Sequence, residues 1–65
     1  MWHEIGSNAG AVLRFVSERG ECSTHQIRSA LKIPQTLLFL SLGWLAREGK
    51  VAVVYRDRGY WVRVI

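Results

Sequence analysis

The segment from Ser23 to Ile65 constrains this chain most, because two helix signals, a proline-bounded turn and a hairpin signal follow one another without a linker. Ser23-Thr24-His25-Gln26 reads as a capping box, in which a Ser at the N-cap and a Gln three residues on satisfy each other's backbone amides. The helix it opens is short, with Ile27, Ala30 and Leu31 expected to face inward. Lys32-Ile33-Pro34 closes it, since a residue before proline avoids the α region. Pro34 then suits the first turn of a further helix, where its missing N–H would be unpaired anyway. Two helices joined by so tight a turn must cross steeply.

That further helix is predicted from about Pro34 to Glu48, stopping at Gly49. On a helical wheel Leu38, Leu42 and Leu45 share one face with Ser41, forming the core stripe. Thr36, Leu40, Gly43 and Arg47 lie opposite. Phe39 and Ala46 flank one side of the core face, and Leu37 and Trp44 the other, so the helix is apolar nearly all round. Lys50 to Tyr55 and Tyr60 to Val64 are rich in Val, Tyr and Trp, as strands require. Between them, Arg56-Asp57-Arg58-Gly59-Tyr60 fits a hairpin whose loop ends in a left-handed Gly59. Alternation puts Val51, Val53 and Tyr55 with Tyr60, Val62 and Val64 over the helices. Ala52, Val54, Arg56, Trp61 and Arg63 should look outward.

Upstream, a first helix is expected from Ser7 or Asn8, either of which can serve as N-cap. Ile5, Ala9, Val12, Leu13 and Val16 form its buried stripe. Arg19 falls in its last turn, and Gly20 supplies the left-handed end. Glu21-Cys22 is too short for more than a strand stub.

At 65 residues this is one domain, 1–65, near the lower limit for a core that folds unaided. Hydrophobic residues make up 49% of the chain, more than so small a core can cover, and self-association is the simplest way to hide the surplus. A net charge of +4 favours anionic partners. The single cysteine, Cys22, cannot form an internal disulfide, and a reducing, cytoplasmic setting is the simpler reading. No apolar run reaches a membrane span, and Met1-Trp2-His3-Glu4 does not read as the start of a signal peptide.

The order helix, strand stub, helix, helix, strand, strand resembles the winged helix superfamily over the whole chain. The string Leu42-Gly43-Trp44-Leu45-Ala46-Arg47-Glu48-Gly49-Lys50-Val51 is similar to a family of small, stand-alone prokaryotic winged-helix proteins of undefined role. The likeness extends to a first helix opening near Asn8-Ala9-Gly10 and to the short second helix. It implies an α+β winged helix-turn-helix, three helices plus a C-terminal β-hairpin wing (α1-β1-α2-α3-β2-β3). It further implies a homodimer and a DNA-binding role, and it brings no catalytic or ligand residue.

Winged helices lay the third helix in the major groove and touch the backbone or minor groove with the hairpin. Base-edge reading needs Arg, Lys, Asn, Gln or small hydroxyls on that helix. Gln35, Thr36 and Arg47 qualify, whereas Phe39, Leu40 and Gly43 do not. Arg56 and Arg58 at the wing suit phosphates, with Arg28, Lys32 and Lys50 as further contacts, though Asp57 between the two arginines offsets part of their charge. The plainer reading of these cations is ordinary solubilising charge.

A competing function is protein pairing through Phe39, Leu40 and Trp44, joined by Val54 and Trp61 on the outer sheet face. Burying one large apolar side chain gains roughly 1.5–3 kcal/mol, so several outweigh one or two rim arginines. Gly43 beside Trp44 suggests a close approach of another surface. Singly, each is better explained as core, with Trp44 and Phe39 packing under Trp2 or against the hairpin, whereas full burial of the whole set is hard to arrange in so small a domain. Cys22, His25 and His3 lack the spacing of a metal site, no nucleophile has a base, and no cofactor loop exists, so neither enzyme nor cofactor chemistry is expected. The sequence thus points to a weakly specific DNA-binding regulator that pairs with itself, with a DNA-free interaction module as the alternative.

Overall fold

The computed structural model describes the backbone of residues 2–65 and the side chains of residues 5–65. The expected roles of the Trp2 and His3 side chains fall outside those described residues. The elements are α1 (Trp2–Arg19), β1 (Cys22–Ser23), α2 (Thr24–Leu31), α3 (Gln35–Arg47), β2 (Val51–Arg56) and β3 (Gly59–Val64).

The helix-turn-helix forms for the reasons its sequence states. Ser23 Oγ accepts from the Gln26 amide at 3.1 Å, and Gln26 Oε1 accepts from the Ser23 amide at 2.8 Å. Lys32 ends α2 in the left-handed region (φ 55), its amide donating to the Arg28 carbonyl at 2.7 Å. Pro34 sits one position earlier than predicted, as the N-cap of α3, with no side-chain bond capping the helix. Gly49, at φ 71, turns the chain out of α3 towards β2.

Every element contributes to one core. Val12 and Val16 of α1, Cys22 of β1, Ile27 of α2 and Leu38, Leu42 and Leu45 of α3 pack with Val51 of β2 and Val62 of β3. Ser41 is fully buried within the leucine ridge and donates its hydroxyl to the Leu37 carbonyl at 2.8 Å. That internal bond removes the penalty of a buried polar group. Phe15 and Ile33 also pack against the core, although the sequence pattern does not single them out.

The three strands are antiparallel in the order β1-β3-β2. The stub is Cys22–Ser23 and pairs with β3 through Cys22 opposite Val62 and Ser23 opposite Trp61. Across the hairpin Val53 faces Val62, Val54 faces Trp61 and Tyr55 faces Tyr60, so the predicted alternation holds. Among the described residues no helix is long and apolar enough to cross a membrane.

Four expectations are corrected. The first helix starts at Trp2 and not at Ser7 or Asn8, because Ile5 continues the Ala9–Val12–Val16 stripe and is buried. Packing of that residue overrides the weak helix propensity of Gly6, Ser7 and Asn8. Ala30 is exposed, since the eight-residue α2 turns only Ile27 fully inward. The hairpin's left-handed residues are Asp57 (φ 52) and Arg58 (φ 62), not Gly59, which belongs to β3. Finally, Tyr55, Tyr60 and Val64 are not buried under the helices as Val51 and Val62 are: Tyr60 meets α3 through Phe39, and Tyr55 and Val64 stay exposed.

Positive φ at both central residues is the arrangement of a two-residue loop that favours Asn-Gly, and Arg58 occupies the position glycine fills best. Arg58→Gly should therefore raise stability by about 0.5–1 kcal/mol, seen as a higher urea midpoint at unchanged slope.

Candidate nucleic-acid interface

Docking of the leucine ridge of α3 decides which side chains the helix leaves outside. Gln35 and Thr36 open it and are exposed. Thr36, Leu40, Gly43 and Arg47 follow at helical spacing on the side away from the core, all of them exposed. The predicted groove-facing trio thus shares one helix, but Leu40, 40% exposed, stands between its polar ends.

Charge is distributed unevenly. From Thr24 to Arg47 the chain has three cations, Arg28, Lys32 and Arg47, and no Asp or Glu. Arg28 and Lys32 border a shallow depression of about 290 Å³ with His25, Ser29 and Ile33, three residues before the start of α3. Sequence alone ranks these two cations as secondary, and the signal that raises their rank is the carboxylate-free run to which they belong.

The wing arginines differ from one another. Arg56 forms an ion pair with Glu21, lies 3.9 Å from Asp57 and stacks over Trp61 at 4.7 Å. Trp61 in turn donates its indole N–H to the Arg56 carbonyl at 3.2 Å. This cluster links the hairpin to the connection between α1 and β1, and the Arg56 side chain stays half exposed. Arg58, at the loop tip, is exposed.

The five residues assigned to an interaction surface do not form one patch. Phe39, Leu40 and Trp44 border a mainly apolar depression of about 290 Å³ on α3, together with Ile5, Gly43 and Arg47. Val54 and Trp61 are cross-strand neighbours on the outer sheet face. Leu40, Trp44 and Val54 are exposed, whereas Phe39 and Trp61 are half-buried. Phe39 packs against the hairpin as the plainer reading holds, its ring edge-on to Tyr60 at 5.7 Å. A Cβ added at Gly43 would meet nothing within 4 Å among the described residues, so none of these makes the close approach expected there.

A larger cleft of about 570 Å³ separates α3 from the wing. Gln35, Phe39 and Gly43 form one wall, and Val53 and Tyr60 form the other. Tyr55 lies outside the lining, its ring edge-on to that of Tyr60 at 5.1 Å. Strand alternation puts both tyrosines on this face, but on its own it gives them the role of core cover.

Comparison with known proteins matches residues 1–64 to the winged helix-turn-helix domain family DUF2582. The chain belongs to this family. A member-length relative, the uncharacterized protein MJ1608 of Methanocaldococcus jannaschii, is 33% identical over 67 residues, covering 98% of this chain and 94% of its own. No solved structure matches significantly. Within the winged helix-turn-helix, α2 and α3 form the paired helices, and β2 and β3 form the wing.

Cys22 lies in the core of that domain, 2% exposed where β1 meets β3. Burial pushes its thiol pKa above the ordinary 9.0, with Arg19 lowering it less and Glu21 raising it slightly. The folded state thus holds the proton more tightly than the unfolded chain. Stability should be indifferent to this group below about pH 9 and fall as pH rises from there through the folded value. Iodoacetamide should label Cys22 only as fast as the domain opens, and rapid labelling of folded protein would contradict this placement.

Proposed function

We propose that this chain is a DNA-binding module that grips duplex mainly through phosphates and reads sequence weakly. The observation that carries the reading is the helix-turn-helix free of carboxylates, Thr24 to Arg47, with Arg28 and Lys32 beside the exposed start of α3. The opening amides of α3 have no side-chain cap, and Gln35 and Thr36 stand next to them. Such an end suits a phosphate or a base edge. Arg58 at the wing tip adds a further cation, and Arg47 closes the far end of the helix.

Weak specificity follows from what lies between. Leu40 and Gly43 offer no hydrogen bonds to base edges, so backbone contacts supply most of the affinity. Arg56, held by Glu21, contributes mainly by keeping the wing in place.

Binding to random duplex should weaken steeply with salt. Arg28→Ala, Lys32→Gly and Arg58→Gly together should reduce the slope of log K against log salt by about 0.9 for each phosphate that is no longer neutralised. Glycine is chosen at Lys32 and Arg58 because both have positive φ. Fluorescence anisotropy measures this, and no salt-sensitive binding at micromolar protein removes the proposal.

A second reading, self-association through α3, is favoured by Leu40 and Trp44, each about two-fifths exposed beside the same apolar depression. It competes with duplex for one helix face. Leu40→Glu should leave the fold intact and, where pairing occurs, convert a dimer to a monomer by sedimentation. A wild-type monomer at high concentration rejects it.

A further inference from the structure

The wing side of α3 carries a feature that duplex binding does not use. Three aromatic rings run in series from the helix to the ribbon: Phe39 to Tyr60 at 5.7 Å, then Tyr60 to Tyr55 at 5.1 Å, each pair edge-on. Exposure rises along the series, from half-buried Phe39 to Tyr60 at 44% and Tyr55 at 65%. Large rings left this open on a folded ribbon contribute little to its core. Tyr60 and Phe39 line the cleft of about 570 Å³, a volume within the usual range of small-ligand sites, roughly 300–1,000 Å³.

The charge around the cleft selects among occupants. Its helical wall belongs to the carboxylate-free run, and Gln35 at its edge follows Lys32 by three residues. On the ribbon, Asp57 is the one carboxylate, and it lies near Arg56 and beside Arg58. An apolar, aromatic-walled cleft whose helical wall bears no carboxylate matches a ligand with flat rings on an anionic backbone. Bases stack on aromatic side chains with little regard to sequence, and nearby cations track the phosphates. Gln35 offers an amide that both donates and accepts, suited to the edge of an unpaired base. In duplex those edges are paired and the ring faces are stacked, so only an unstacked strand can use this surface.

The geometry points to the cleft between α3 and the wing as a binding site for single-stranded nucleic acid, whose bases stack on Tyr55 and Tyr60. This goes beyond the duplex reading and shares with it Gln35 and the cations Lys32 and Arg58. A strand laid along the cleft passes Gln35 and the two tyrosines, with Lys32 three residues before Gln35 in the chain and Arg58 two residues before Tyr60. Gly43 leaves the floor open, since no side chain rises from α3 there.

The test is fluorescence anisotropy with labelled oligo(dT) of about 15 nucleotides, oligo(rU) of the same length and a duplex, at low salt. The expected result is binding of the single strand that falls about tenfold or more in Tyr55→Ala and is retained in Tyr55→Phe, with duplex affinity unchanged in both. Tyr55 is the residue of choice because its exposure means that its removal leaves the core intact. The two single strands distinguish DNA from RNA as the source of the bases. Equal affinity of wild type and Tyr55→Ala for oligo(dT) and oligo(rU) overturns the inference, as does an equal loss in Tyr55→Phe. Sedimentation without nucleic acid supplies an independent check: a dimer that Tyr55→Ala dissociates shows the ladder covered by a second copy, and overturns it too. Tyrosine-independent single-strand binding with intact duplex binding sinks this inference alone. Tyrosine-dependent single-strand binding without duplex binding sinks the duplex proposal alone.

Discussion

The leucine ridge of α3 is the contact on which the remaining structure depends. Leu38, Leu42 and Leu45 are buried against Val12 and Val16 of α1 and against the sheet through Val51 and Val62. Removing a fully buried leucine from such a cluster costs about 2–5 kcal/mol, a large share of the stability of so small a domain. Because the ridge fixes the roll of α3, it also decides which residues reach solvent. Thr36, Leu40 and Arg47 face away from the core as a consequence of burying Leu38, and the cleft towards the wing opens on the flank that Phe39 occupies.

The parts of this arrangement legible in the sequence are those governed by local rules. The capping box at Ser23, the stop before Pro34 and the period of the leucines each follow from a few neighbouring residues, and each recurs in the structure. The shared face of Val53, Val62, Tyr55 and Tyr60 was readable as well from alternation, and the structure adds the register that pairs Val53 with Val62 and Tyr55 with Tyr60. What failed depended on distance through space. The start of α1 shows two local signals in conflict, the N-cap types Ser7 and Asn8 against Ile5 on the Ala9–Val12–Val16 stripe, and burial of Ile5 decides between them. The exposure of Tyr55 and Tyr60 depends on how much of the ribbon the helices cover, which alternation does not encode.

The candidate site divides along the same line. Gln35, Thr36, Arg47 and Arg58 are all exposed, as the sequence suggested, because position on a helix or at a loop tip is a local property. The role of Arg56 was not legible, since its partner Glu21 lies far away in the chain. The two wing arginines look equivalent in sequence, yet one is paired within the chain and the other is an exposed tip. The aromatic series was hidden for a similar reason: Phe39 joins the tyrosines only once the helix and the hairpin are folded together.

The sheet ends on one side at β2, whose outer edge meets no further strand. Its interior, Val51 to Tyr55, is an uncharged run of high strand propensity, the kind of edge along which copies of a protein can stack into ribbons. Lys50 and Arg56 bracket that run. If two such edges approached antiparallel, with Val53 and Val54 near the centre, the arginine of each copy would be brought towards the lysine of the other. Like-charge repulsion at both ends, lessened at Arg56 by its pairing with Glu21, then works against a growing fibre.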